Sequence, residues 1–268
     1  MRKTILAGSL ACAALAAPAL ATAQTAPTSP HSFTGNITLG SEYLYRGIAQ
    51  TRGKPALQGG FDYAHSSGFY AGTWGSNISW ISDGTAGASS SLEVDLYGGY
   101  KGSISGDLGF DVGVLTYVYP GTGKPTGPAK PDTTELYGGL SYKWFTLKYS
   151  RTTGSLFGWT KSADGSKTSG SGYLDLTGNW DLGSGFGLTA HLGHQKVRGR
   201  SSASYSDWKL GVTKDLGFGT VGLALSDTNA KANCAATPSE DYCFIKASSL
   251  GTYDAGKGRL LVTFGKSF

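Results

Sequence analysis

Polar and apolar residues alternate along most of this chain with a period of two. In Leu92–Tyr100, Leu92, Val94, Leu96 and Tyr100 share one face, and Glu93, Asp95, Tyr97 and Gly99 share the other. In Glu135–Tyr142, Leu136, Leu140 and Tyr142 oppose Glu135, Tyr137 and Ser141. In Tyr173–Trp180, Leu174, Leu176 and Trp180 oppose Asp175, Thr177 and Asn179. This is the pattern of β-strands with one greasy and one polar face. It predicts twelve strands, at about 33–46, 55–65, 69–79, 90–101, 107–119, 133–143, 145–153, 171–181, 185–196, 204–215, 219–228 and 258–268.

The predicted connections alternate in length. Residues 66–68, 102–106, 144, 182–184 and 216–218 are tight, and include Ser-Ser-Gly, Ser-Gly-Asp and Gly-Ser-Gly turns. Residues 47–54, 80–89, 120–132, 154–170, 197–203 and 229–257 are longer. Short turns on one rim and long loops on the other are the asymmetry of a transmembrane barrel with periplasmic turns and extracellular loops. A two-sheet sandwich also supplies many strands, but accounts less readily for the regular short–long order.

Composition fits a barrel wall. Glycine is the commonest residue at 42, with 15 Tyr and 6 Trp. At the N-terminus, Arg2 and Lys3 precede an Ala- and Leu-rich run from Ile5 to about Ala21, then Ala21-Thr22-Ala23. This reads as a secretory signal peptide over 1–23, a short tail over 24–32 and a barrel over 33–268. Cys12 lies within the run without a good lipoprotein signal around it. No run of 18 apolar residues follows the leader, which excludes a helical membrane span. The net charge of +5 falls to +3 without Arg2 and Lys3. Nothing marks a nucleic-acid binder.

Alternation alone does not say which face points inward. The last segment, Gly258–Phe268 (GRLLVTFGKSF), resembles the closing strand of bacterial outer-membrane barrels, which commonly ends in an aromatic residue read by the barrel assembly machinery. With the leader and the turn asymmetry, that resemblance puts the aliphatic faces in lipid and lipopolysaccharide and the polar faces in the lumen. The expected location is the cell outer membrane of a Gram-negative bacterium. Lys266 departs from the apolar outward pattern and is expected to snorkel to the interface. Tyr43, Tyr45, Tyr70, Tyr119, Trp144, Phe145, Trp180 and Trp208 fall near strand ends and suggest aromatic girdles.

The lumen is then the functional surface. Its expected lining is Glu42, Arg46, Gln58, Asp62, Glu93, Asp95, Asp111, Glu135, Lys148, Asp175, His191 and Lys209. Arg46 opposite Glu42 and Asp62 would shape a constriction near the outer mouth. Two readings stand. One is a wet channel for passive diffusion of small hydrophilic solutes, its acidic excess favouring cations. The other is a structural or adhesive barrel filled by paired charges. The glycine pairs Gly59-Gly60, Gly98-Gly99 and Gly138-Gly139 would ease curvature and leave room beside lumen aromatics.

Cys234 and Cys243, the only cysteines after the leader, share the longest loop and predict a disulfide in an oxidising compartment. Their spacing is not Cys-x-x-Cys and no near His completes a metal site. A hydrolase is the minor alternative. The histidines are His31, His65, His191 and His194, and none sits in a Gly-x-Ser-x-Gly motif. No catalytic residue, metal or cofactor is assigned.

Ser41–Gln50 (SEYLYRGIAQ), Pro55–Tyr63 (PALQGGFDY) and Gly68–Asn77 (GFYAGTWGSN) resemble the opening segments of the TorF family, also called Gcw_chp. Glu93–Tyr97 and Glu135–Ser141 fit the same pattern. The resemblance implies an outer-membrane barrel with suspected porin-like transport. It singles out Arg46, Gln58, Asp62, Trp74 and Asn77, and attaches no role to the cysteine loop.

Overall fold

In a computed structural model of the chain, the described residues are 29–84, 89–122, 130–161, 165–236, 240–245 and 251–268. The expected leader over 1–23 and most of the tail lie outside them. Twelve antiparallel strands close into one barrel. They are β1 (His31–Gly40), β2 (Ala56–His65), β3 (Phe69–Asn77), β4 (Leu92–Ser105), β5 (Leu108–Val118), β6 (Thr133–Tyr142), β7 (Phe145–Thr152), β8 (Gly172–Gly183), β9 (Phe186–Lys196), β10 (Tyr205–Asp215), β11 (Thr220–Thr228) and β12 (Arg259–Ser267). Each pairs with its sequence neighbours, and β1 closes the ring on β12 from Asn36↔Ser267 to Gly40↔Thr263. No described helix is long and apolar enough to cross a membrane.

The seam carries its own lock. Gly35 and Phe268 exchange backbone hydrogen bonds of 2.8 and 2.9 Å. A Cβ on Gly35 would lie 2.6 Å from the Phe268 ring, so the terminal aromatic lies flat where only glycine leaves space.

Side-chain placement is inverted relative to a water-soluble barrel. Phe33, Phe61 and Leu192 are 76, 64 and 61% exposed, whereas Glu93, Asp95 and Glu135 are each 1% exposed. Leu92, Leu96, Tyr100, Leu136, Leu140, Leu174 and Leu176 stand outward as the alternation predicts. Trp144, Phe145 and Trp208 are exposed on the outside, and Trp180 packs edge-on against Phe145 at 5.6 Å. Tyr43, Tyr45, Tyr70 and Tyr119 do not join the girdles. Their rings face the interior, because they share the parity of the polar face or lie on chain that has left the wall.

The main departure in the strands is β1. It ends at Gly40 rather than 46, and residues 41–55 fold into the mouth. At the other extreme β4 runs to Ser105, beyond the expected 101, through a register shift between Ser103 and Ser105. The remaining long connections are 78–91, 119–132, 153–171, 197–204 and 229–258, all on one rim.

An arginine placed on the lipid face near mid-strand should cost about 2–4 kcal/mol. Leu192→Arg is expected to lose that much in equilibrium unfolding from liposomes. Thr189→Arg, on the opposite face of the same strand, is expected to lose far less.

Candidate lumen site

The segment after β1 enters the barrel as a small hairpin, Leu44–Tyr45 paired with Ile48–Ala49. Its two turn residues, Arg46 and Gly47, both have positive φ, at 48° and 78°. That is the two-residue turn whose twist suits a hairpin, and Gly supplies one of the two positions. Gly47 is pressed against the wall. A Cβ there would collide with Thr228 and with Asp207, on β11 and β10. The hairpin tip therefore lies against β11 and β10, two and three strands round the ring from β1.

Arg46, at its tip, is the hub. Its guanidinium grips Glu135 on β6 with both forks, at 2.7 and 3.1 Å, and donates to Gln195 Oε1 on β9 at 2.8 Å. It lies 4.2 Å from the centre of the Tyr173 ring and 4.8 Å from that of Tyr45. Tyr205 on β10 donates to its backbone carbonyl at 2.9 Å. Four wall strands and the hairpin thus meet at one buried charge pair. Bidentate geometry and stacking are what guanidinium offers and ammonium does not. Before the turn, Tyr43 donates to Glu93 Oε1 at 2.6 Å, and Tyr45 meets the hydroxyl of Tyr117 at 2.8 Å.

Apolar side chains pack around this hub. One cluster joins Leu44 and Ile48 of the hairpin to Leu156, Val197, Tyr205 and Tyr242. A second joins Tyr43 to Trp74, Ile81, Tyr117 and Tyr119. An apolar cavity of about 60 Å³ remains between them, lined by Tyr45, Trp80, Tyr119, Phe157, Trp159 and Tyr242 among others. The loop half of the barrel thus has a core of its own.

The turn half is polar. Tyr97 donates to Asp62 at 2.5 Å and Tyr70 to Asp111 at 2.6 Å, and the Lys148 ammonium sits 3.9 Å over the Tyr137 ring. His191 stands between two carboxylates: Nε2 is 2.9 Å from Asp207 and Nδ1 is 3.3 Å from Asp175. Thr177 donates to Asp175 at 2.7 Å, and Lys209 pairs with His191 across β9 and β10. Asp62, Asp111 and Lys148 are only half-buried, so this half keeps contact with water.

Ten of the twelve expected lining residues stand on wall strands with the polar face. Glu42 and Arg46 do not, because both lie on the segment that leaves the wall. The expected grouping of Arg46 with Glu42 and Asp62 is therefore corrected. Arg46 reaches across to Glu135. Glu42 faces Arg259 at 3.0 Å and accepts from Tyr253 at 2.8 Å, and Asp62 belongs to Tyr97. Gln58 is buried on β2 opposite Ser76, and Asp95 is buried on β4 opposite Trp74. Asp207, Tyr173 and Gln195 went unread. Asp207 shares a face with Lys209, two residues on, so the same parity would have found it.

Among the described residues no group of His, Cys, Asp and Glu could hold a metal. Cys234 and Cys243 form a disulfide with Cα atoms 5.2 Å apart.

The profile described as "Bacterial protein of unknown function (Gcw_chp)" matches residues 24–268. The chain belongs to that family. A search of curated proteins gives no match. Among solved structures, the KdgM porin superposes with a TM-score of 0.52 at 6% identity, over 88% of this chain and 99% of that one. The KdgM porin in complex with disordered oligogalacturonate gives 0.50 at 6%, over 88% and 98%. The NanC porin gives 0.48 at 10%, over 86% and 97%. At such identities the likeness shows the fold alone.

Removing Arg46 would leave Glu135 charged and unpaired in the core, which typically costs about 3–5 kcal/mol. Arg46→Ala is expected to lose that much in unfolding. The double replacement Arg46→Met with Glu135→Leu should recover most of it, since an apolar pair of similar volume needs no desolvation.

Proposed function

We propose that this chain is a porin-like channel of the Gram-negative outer membrane, passing small hydrophilic solutes by diffusion and favouring cations. The observation that carries this reading is a closed barrel with aliphatic side chains outside and charged, half-hydrated side chains within. Seven carboxylates against Arg46, Lys148 and Lys209 in the expected lining give the wall its acidic bias, and Asp207 adds to it. Wall charge of that sign raises the local concentration of cations. Likeness to porin structures supports the same class of function.

In this reading the hairpin 44–49 is the constriction and the Arg46–Glu135 pair its latch. Solute crosses where the hairpin yields, because it is held by a few side-chain contacts on a short connection, whereas the wall is a continuous ladder.

A second reading draws on the same hairpin. The two apolar clusters and the Arg46 hub fill the loop half of the lumen, as a purely structural barrel would require. The hydrolase reading gains less. His194 Nδ1 does lie 2.9 Å from Ser206 Oγ on the lipid face, but no described carboxylate orients the ring.

Planar-bilayer recording decides between the first two. Discrete conductance steps are expected from the folded protein, larger for Arg46→Ala. Reversal potentials should shift toward anions when Asp175 and Asp111 are neutralised. A correctly inserted barrel that stays silent in both wild type and Arg46→Ala would establish the filled reading.

A further inference from the structure

Outside the lumen, one patch of charge is unused by any channel. On β7 the lipid-facing row Phe145, Leu147, Tyr149 ends in Arg151. On β9 the row Leu192, His194 ends in Lys196. Gly172 of β8 lies between them and pairs in register with both. The two cations therefore flank a bare glycine at one height, on the loop rim, one step above Tyr149 and Leu174.

Arg198 joins them from the following loop. Its Nη1 comes within 3.1 Å of the point where a Cβ on Gly170 would sit, and Arg151 Nη2 comes within 3.2 Å of the same point. The Arg198 backbone N–H is fixed by Ser171 Oγ at 2.9 Å. Two guanidinium groups thus converge over Gly170, with Arg198 Nη1 also 3.5 Å from the Ser169 carbonyl. Among the described residues, neither they nor Lys196 form an ion pair. Arg200, close by in sequence, does have its carboxylate in Asp241. Convergent like charges repel, and an anion between them turns that cost into a gain.

The rest of that rim is different. Lipid-facing positions toward the corresponding ends of other strands include the neutral Asn77, Thr116, Thr134 and Ser206, while Asp227 on β11 is anionic. The cationic patch is confined to β7–β9. Tyr149, half-exposed, lays its hydroxyl against Gly172, as a phenol at headgroup level does.

We propose that Arg151, Lys196 and Arg198 bind a phosphate group of a phosphorylated glycolipid in the outer leaflet. The inference rests on the outward faces meeting lipid, which the channel reading shares, but not on conductance. Lipid supplies the phosphate because the cations sit on the outward face, directly above the apolar band, rather than toward the lumen.

The test uses the full folded barrel in detergent and lipid A as probe, with native mass spectrometry or fluorescence titration as readout. Bis-phosphorylated lipid A is expected to bind at least tenfold more tightly than the same lipid stripped of phosphate. Arg151→Ala with Arg198→Ala should remove that difference while leaving heat-modifiable mobility and wild-type conductance unchanged. If that double variant fails to fold, Lys196→Gln combined with Arg198→Ala should give a partial loss. Equal binding of both lipids, or an undiminished preference in a folded double variant, would overturn the proposal. So would displacement of lipid A by an equal concentration of inorganic phosphate, which would mark a site for free oxyanions. A silent but lipid-binding barrel would overturn the channel alone.

Discussion

Hydrocarbon offers a backbone amide no partner. A sheet that lies in lipid must therefore close on itself, and each unmet group at an open edge costs several kcal/mol. In this chain the closure is the pairing of β1 with β12, completed by Gly35 and Phe268. Everything else follows from that ring. Once it is closed, the pleat sends every second side chain to the lipid and every other one to the lumen. The charges can then only be satisfied by one another, by tyrosine hydroxyls or by water inside. Tyr97 with Asp62, Tyr70 with Asp111, and His191 between Asp175 and Asp207 are the outcome.

In the hairpin after β1 the chain gives up wall for lumen. Among the described residues its positive-φ turn presents the only cation paired with Glu135, and Leu44 and Ile48 join the apolar packing around it. The barrel thus has two different interiors. The loop half is packed around the Arg46–Glu135 pair. The turn half is polar and hydrated.

The wall was legible because period-two alternation is strong in β4, β6 and β8, where Leu and Glu or Asp occupy adjacent positions. Strand number and rim asymmetry came from the same signal. The hairpin was not legible, because Tyr43 and Tyr45 keep the parity of Ile37 and Leu39 and so read as more of β1. Only Arg46-Gly47 hints at a turn, and Arg is not a usual residue for positive φ. The interior tyrosines were misread for a related reason: Tyr suits both the headgroup layer and a hydrogen bond to a buried carboxylate. Position near a strand end does not separate the two, whereas parity does. Long-range partners such as Arg46 and Glu135 depend on how the ring closes, which no local pattern carries.

The placement of faces is tested most directly by spin labels on cysteines introduced one at a time along β6, from position 136 to 140, with the protein in liposomes. The account predicts that labels at 136, 138 and 140 collide freely with oxygen and scarcely with a water-soluble nickel chelate, while those at 137 and 139 show reduced oxygen collision. Uniform accessibility to the chelate, or the opposite alternation, would contradict it.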